Sequence, residues 1–191
     1  DYLFDLLDLI SKKEVDTNFK FPINKKIEIS LKKIFSENLK YVGIAPGAGE
    51  KNKIWPLNNY IEIGKYLESK DYLIVFYLGP SEKEFEKILK QNFQNAIFLE
   101  KEKLLDSFSN IEIIMTSTKF LKFAISNDSG VSHMLSTNYC PLIKLFGPKD
   151  SKKFTPKLKN LITISSSEVN SDNIEDISIS RVITAIEYLD K

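Results

Sequence analysis

Cysteine and histidine are almost missing from this chain: Cys140 and His133 are the single occurrences of each in 191 residues. One cysteine excludes an intrachain disulfide and fits a reducing compartment. One of each also excludes the usual Cys/His zinc sites, so no metal is expected. Long hydrophobic runs are missing as well. The longest, such as Leu73 to Leu78, falls far short of the roughly 20 residues a membrane-spanning helix needs, and no secretory signal is read. An excess of either charge is missing too, with 27 Lys and Arg against 26 Asp and Glu and a net charge of +1. A nucleic-acid-binding domain usually carries a basic surface, so nucleic acid is not an expected partner. Phosphate binding needs only a few positioned groups and stays open. Two catalytic signatures are absent: the Gly-Lys-Ser/Thr spacing of a nucleotide-triphosphate P-loop and the Gly-x-Ser-x-Gly elbow of hydrolases.

What is present suits a folded soluble domain: 42% hydrophobic and 12% aromatic residues, in a chain long enough for one full core. From Tyr41 onward the pattern is regular. Short apolar runs at Tyr41 to Ala45, Tyr72 to Leu78, Ala96 to Leu99, Phe120 to Ser126, Pro141 to Phe146 and Leu161 to Ile164 read as strands. Helical periodicity stands between them at Leu57 to Glu68, Glu82 to Gln91, in pieces over Leu104 to Lys119, and at Val131 to Thr137. In the Leu104 to Lys119 stretch, Ile111, Ile114 and Met115 are expected to point inward. Ser180 to Leu189 reads as a closing helix. Strands alternating with helices predict an α/β fold: a Rossmann-like parallel sheet covered by helices on both faces. In such sheets ligands bind beyond the carboxyl ends of the strands. Residues 1–40 lie outside this pattern. The chain begins at Asp1, and Tyr2 to Ile10 has helix-like apolar spacing before a lysine-rich stretch. Residues 1–40 are therefore expected to be a linker or the remnant of an upstream domain, with a nucleotide-binding domain over 41–191; an ordinary N-terminal helix on a complete domain is the plainer alternative.

Three segments fall at the ligand-binding edge. In Asn127-Asp128-Ser129-Gly130-Val131-Ser132-His133, Asp128 or Ser129 can cap the following helix. Gly130 lets a ligand approach the backbone, and the N–H groups at the helix start favour an anion such as a pyrophosphate. His133, about one turn in, can face the same ligand; a capped helix with an ordinary surface histidine is the plainer alternative. In Pro46-Gly47-Ala48-Gly49-Glu50-Lys51-Asn52-Lys53-Ile54-Trp55-Pro56, small residues let N–H groups point at a phosphate, and Lys53 adds a point charge. A polar turn with solvated lysines explains the same residues, and Trp55 reads as packing. In Gly79-Pro80-Ser81-Glu82, a carboxylate at a helix start on this edge can bind a ribose diol, as the acidic residue of dinucleotide folds does; a helix-favouring first-turn glutamate is the simpler reading.

Taken in order, these segments resemble the bacterial ADP-heptose:lipopolysaccharide heptosyltransferases, glycosyltransferase family 9. The resemblance rests on Pro46-Gly47-Ala48, Lys53-Ile54-Trp55-Pro56, Gly79-Pro80-Ser81-Glu82, Asp128-Ser129-Gly130-Val131-Ser132-His133 and Phe146-Gly147-Pro148, across about Tyr41 to Pro156. It implies the C-terminal, donor-binding half of a two-domain GT-B glycosyltransferase that inverts the anomeric centre with no cofactor and no required metal. By resemblance, Ala48, Gly49 and Lys53 hold phosphate, Glu82 binds ribose, and Asp128 orients the sugar or its phosphates. Ser129 and Gly130 bind pyrophosphate, and His133 supports that end. The general base and the acceptor site are implied to lie in an N-terminal domain absent from this sequence. The implied partners are an ADP-sugar donor and a lipopolysaccharide-core or lipid-linked acceptor. The implied location is cytoplasmic, with room for peripheral contact with the inner membrane. Ser136-Thr137-Asn138-Tyr139 departs from the family, which usually has small apolar residues and glycine there. A GT-B enzyme with another sugar nucleotide, such as an epimerase, and a non-catalytic nucleotide-binding module are the competing readings.

Overall fold

A computed structural model describes residues 22–148 and 160–190. Its strands are β1 (Lys40–Ala45), β2 (Tyr72–Phe76), β3 (Ile97–Phe98), β4 (Leu121–Asn127), β5 (Leu142–Phe146) and β6 (Leu161–Ser165). They form one sheet in the order 3-2-1-4-5-6, and every pairing is parallel. The sheet is apolar through its thickness because its central strands are apolar on both faces: β1 is buried from Tyr41 on and β5 throughout.

Helices cover both faces. α2 (Leu57–Glu68), α3 (Lys83–Asn92) and α6 (Ile179–Leu189) press Ile63, Leu67, Leu89, Val182 and Ile186 onto Ile44, Phe76, Phe123 and Leu145. On the other face α1 (Lys25–Leu31), α4 (Asn110–Ser117) and α5 (Gly130–Leu135) press Ile27, Leu31, Ile113 and Leu135 onto Tyr41, Val75, Ala124 and Leu142. Each fully buried aliphatic or aromatic side chain contributes about 1.5–3 kcal/mol, so these two layers hold the sheet between them. Gly64 on α2 is required by close packing. A Cβ there would stand 2.4 Å from the Phe93 ring.

The doubly wound α/β fold expected from the alternating pattern is the one found. α2 spans the expected residues, and the strands start and stop within two residues of expectation. Two readings change. In α4 the buried positions are Ile113, Thr116 and Ser117, with Ile114 and Met115 half-buried. Ile111, expected inward, is 53% exposed. The helix starts at Asn110, which places Ile111 in its first turn on the solvent side. The lysine-rich segment before β1 also contributes to the core. Ile27, Leu31 and Phe35 are buried, with Asn24 capping α1 through its side chain, so packing shows no break at residue 40. The apolar segment Tyr2 to Ile10 lies outside the described residues, as does 149–159.

Candidate functional site

Strand order reverses between β1 and β4, which pair side by side. That switch point is where two loops diverge and leave a crevice at the carboxyl edge. The loop after β1 and the turn after β4 meet there, and Asn127, the last residue of β4, ties them together. Its side chain is fully buried. Its Nδ2 donates to the Pro46 carbonyl at 2.7 Å, and its Oδ1 accepts from the Tyr60 hydroxyl at 2.8 Å and the Trp55 N–H at 3.2 Å. Trp55 is buried and donates its indole N–H to the Ile177 carbonyl at 2.9 Å, so it packs, as expected. The β1 loop is therefore held at both its start and its end.

The crevice is a cavity of about 250 Å³. Its lining includes Ala48, Gly49, Glu82, Ser129 and Gly130, drawn from all three of the segments singled out in the sequence. Nothing lies within 4 Å of where a side chain on Gly49 or Gly130 would begin, so both backbones are open to a ligand. Glu82 is wedged between two glycines. A Cβ on Gly47 would come within 2.6 Å of its carboxylate, and one on Gly79 within 2.6 Å of Oε2. The Gly79 N–H and the Ser81 hydroxyl both donate to that carboxylate, which fixes it in the lining of the cavity.

Of the two capping alternatives, the structure selects Ser129. Its hydroxyl accepts from the Ser132 N–H and its N–H meets the Ser132 hydroxyl, a reciprocal capping box. Asp128 does not cap α5. Its Oδ1 lies 2.7 Å from Lys144 Nζ and its Oδ2 3.5 Å from Lys53 Nζ. Lys144, in the middle of β5, is 1% exposed, and its ammonium also lies over the Phe146 ring. Lys53 additionally pairs with Glu50 at 3.0 Å. The Glu50 pairing, and secondarily Asp128, hold its pKa above the ordinary lysine value against the opposing effect of burial. Lys53, Asp128 and His133 do not line the cavity. His133 is exposed. Partial burial of its ring, and then the Lys144 ammonium, lower its pKa, while Asp128 pulls the other way. It thus stands close to the Lys53–Asp128–Lys144 group.

Sequence reasoning missed Lys144 and gave Asn127 no role. Lys144 was detectable as a charge inside an otherwise apolar strand, which has to find a partner when buried. A smaller cavity of about 180 Å³ adjoins the first and shares Tyr77, Gly79 and Val131 with it. Its lining holds another group missed in the sequence, Glu100. Behind the site, Asn138 and Tyr139 adopt left-handed backbone conformations with φ of 53° and 61°, where the family resemblance leads one to expect a glycine. No group of three or more potential metal ligands occurs among the described residues, and no helix among them is long and apolar enough to cross a membrane.

Comparison with known proteins places this architecture. The chain is 27% identical over 191 residues to lipopolysaccharide heptosyltransferase 1 of Campylobacter coli, covering 98% of this chain and 50% of that protein. The fold superposes with a TM-score of 0.78 on a glycosyltransferase family 9 protein from Veillonella parvula, at 18% identity, over 95% of this chain and 57% of that one. With the Escherichia coli heptosyltransferase WaaC, solved with ADP-2-deoxy-2-fluoro heptose, the TM-score is 0.71 at 21% identity, over 95% of this chain and 53% of that one. The chain thus spans half or less of the length of the curated relatives it matches. The pattern of glycosyltransferase family 9 (heptosyltransferase) matches residues 4–180, and the chain belongs to that family.

Proposed function

We propose that this chain is the sugar-nucleotide-binding half of an inverting glycosyltransferase that passes a heptose-type sugar from ADP-heptose to a lipopolysaccharide core. The observation that carries the reading is the cavity at the β1/β4 switch point, into which the β1, β2 and β4 loops bring Ala48, Gly49, Glu82, Ser129 and Gly130. In this reading the diphosphate lies over the open backbones of Gly49 and Gly130. The N–H groups of Gly130 and Val131, at the start of α5, have no intrahelical acceptor and face developing negative charge. Lys53, on the same loop as Gly49, exchanges Glu50 for the phosphate. Glu82, fixed by the Gly79 N–H, takes the ribose diol. The base then continues past Gly79 into the adjoining smaller cavity. Loss of the sugar leaves a diphosphate whose charge rises in the transition state, and fixed donors and Lys53 stabilise it. The carboxylate that lines this cavity, Glu82, is given to the ribose in this reading, so the base is assigned to a second domain of the kind the curated relatives have room for. The same domain would carry the acceptor site for a lipopolysaccharide-core or lipid-linked substrate, and with it any contact with the inner membrane.

The test is calorimetric titration of the chain with ADP, ADP-glucose, UDP and UDP-glucose. The expected result is binding of the adenine compounds with at least tenfold preference over the uracil ones. Equal binding of all four, or of none, refutes the reading.

A further inference from the structure

Lys144 stands in the middle of β5, a strand buried along its whole length, and is itself 1% exposed. A buried ion pair is often no more stable than apolar side chains of the same volume in its place, so stability alone does not call for a lysine there. What sets the position apart is what it holds. The Lys144 ammonium lies 2.7 Å from Asp128 Oδ1, and the carbonyl of the next residue, Leu145, accepts the Asp128 N–H at 3.0 Å. Two successive residues of β5 thus fix Asp128 by side chain and by main chain. Asp128 in turn leads directly into Ser129 and Gly130, which line the larger cavity. Its other carboxylate oxygen lies 3.5 Å from Lys53, which also pairs with Glu50 at 3.0 Å. Counted over Glu50, Lys53, Asp128 and Lys144, the charges cancel. Without Lys144 the count leaves one negative charge close to the open backbone of Gly130.

We propose that Lys144 is a positioning residue of the donor site: acting through Asp128, it holds one carboxylate oxygen in place and cancels its charge, so that the crevice admits an anionic diphosphate. This rests on the donor-site reading above and adds to it the group that sets the charge beside the ligand. Lys144 is not in the lining of the cavity, so it acts through its field and its hold on Asp128 rather than by touching the ligand. Its influence therefore falls on the charged part of a nucleotide and spares the neutral part. At an effective dielectric near 20, one unit charge about 10 Å from another changes an equilibrium by roughly tenfold.

The test is calorimetric titration of ADP and of adenosine into the wild-type chain, Asp128→Asn and the double variant Asp128→Asn/Lys144→Met. Asp128→Asn leaves the ammonium of Lys144 with an amide oxygen to bond and no opposing charge. ADP should then bind about tenfold more tightly than to wild type. The double variant removes one charge of each sign and should bind ADP as wild type does. Adenosine affinity should be the same in all three, whereas a loss of packing would move ADP and adenosine together. Neither variant strands a buried carboxylate, so the comparison does not depend on whether Lys144→Met folds by itself. An Asp128→Asn protein that binds ADP no better than wild type overturns the role of Lys144 while the donor-site reading stands. So does a double variant that binds ADP as tightly as Asp128→Asn, or a parallel shift of ADP and adenosine. Absence of ADP binding to the wild type overturns both.

Discussion

Removing the Lys144 ammonium tests the electrostatic frame of the site. Lys144→Met keeps the length of the side chain and its packing in β5, and leaves the carboxylate of Asp128 without its 2.7 Å partner. The side chain of Asp128 is 11% exposed and that of Lys144 1%, so water replaces little of what is lost. Breaking a buried pair by deleting one member costs about 3–5 kcal/mol, because the remaining charge is stranded. Lys53, at 3.5 Å from the other carboxylate oxygen, offsets part of this and places the expectation near the lower end, about 3 kcal/mol. For a chain of this length 1 kcal/mol corresponds to roughly 2–4 °C, so the melting temperature should drop by about 6–12 °C. The assay is thermal melting of four proteins: wild type, Lys144→Met, Asp128→Asn and the double variant. Since deleting both charges strands neither, the double variant should recover most of the loss of Lys144→Met, giving a coupling energy well above the few tenths of a kcal/mol of independent sites. A Lys144→Met loss under about 1 kcal/mol, or losses that simply add, would refute the claim that these two residues are a coupled buried pair.

Two further predictions address the ligand itself. Lys53→Ala should weaken ADP binding by about 10- to 150-fold, from roughly 1.5–3 kcal/mol for a bond to a charged group, and leave adenosine binding nearly unchanged; equal losses in calorimetry for both would place Lys53 away from the diphosphate. Gly47→Ala forces the Glu82 carboxylate to move, because the new methyl would stand 2.6 Å from it. The melting temperature should shift by no more than about 2 °C, since only the end of a flexible side chain is displaced, while adenosine affinity falls several-fold. A Gly47→Ala protein that binds adenosine as wild type does removes Glu82 from ribose recognition.

The framework was legible because its signals are local. Pro56 before Ile61, Ile63 and Leu67 marks α2, and continuous apolar runs mark strands buried on both faces. The convergence of the three site loops was legible as well, since sheets of this kind place the ends of their strands on one edge. What stayed hidden depended on partners far away in the chain. Lys144 sits in a run otherwise apolar from Pro141 to Phe146, and nothing near it in sequence announces Asp128. Asn127 stood inside a recognised motif, but its bonds to Pro46, Trp55 and Tyr60 cross from 67 to 81 residues of chain. In α4 the inward face carries Thr116 and Ser117, so a search for apolar periodicity settled on Ile111 instead. The lysines of 25–33 masked α1, although Ile27, Leu31 and Phe35 recur at four-residue intervals, the spacing of one helix face.

Asp128 shows how the fold resolves two demands that conflict in the sequence. As a helix cap it would turn its carboxylate toward the N–H groups that a diphosphate needs, and as a free carboxylate it would repel that diphosphate. At an effective dielectric of 20, two unit charges 4 Å apart interact by about 4 kcal/mol, enough to cancel a bond from Lys53. The structure gives the capping to Ser129 and the carboxylate to two lysines that differ in freedom. Lys144 is buried in a strand, 2.7 Å from Asp128. Lys53 is 18% exposed, sits on a loop, and divides its charge between Glu50 and Asp128. In the proposed donor site this division lets Lys53 turn to an arriving diphosphate without leaving Asp128 uncompensated. The buried cation in β5 is therefore the condition on which the loop cation can serve the ligand in that reading.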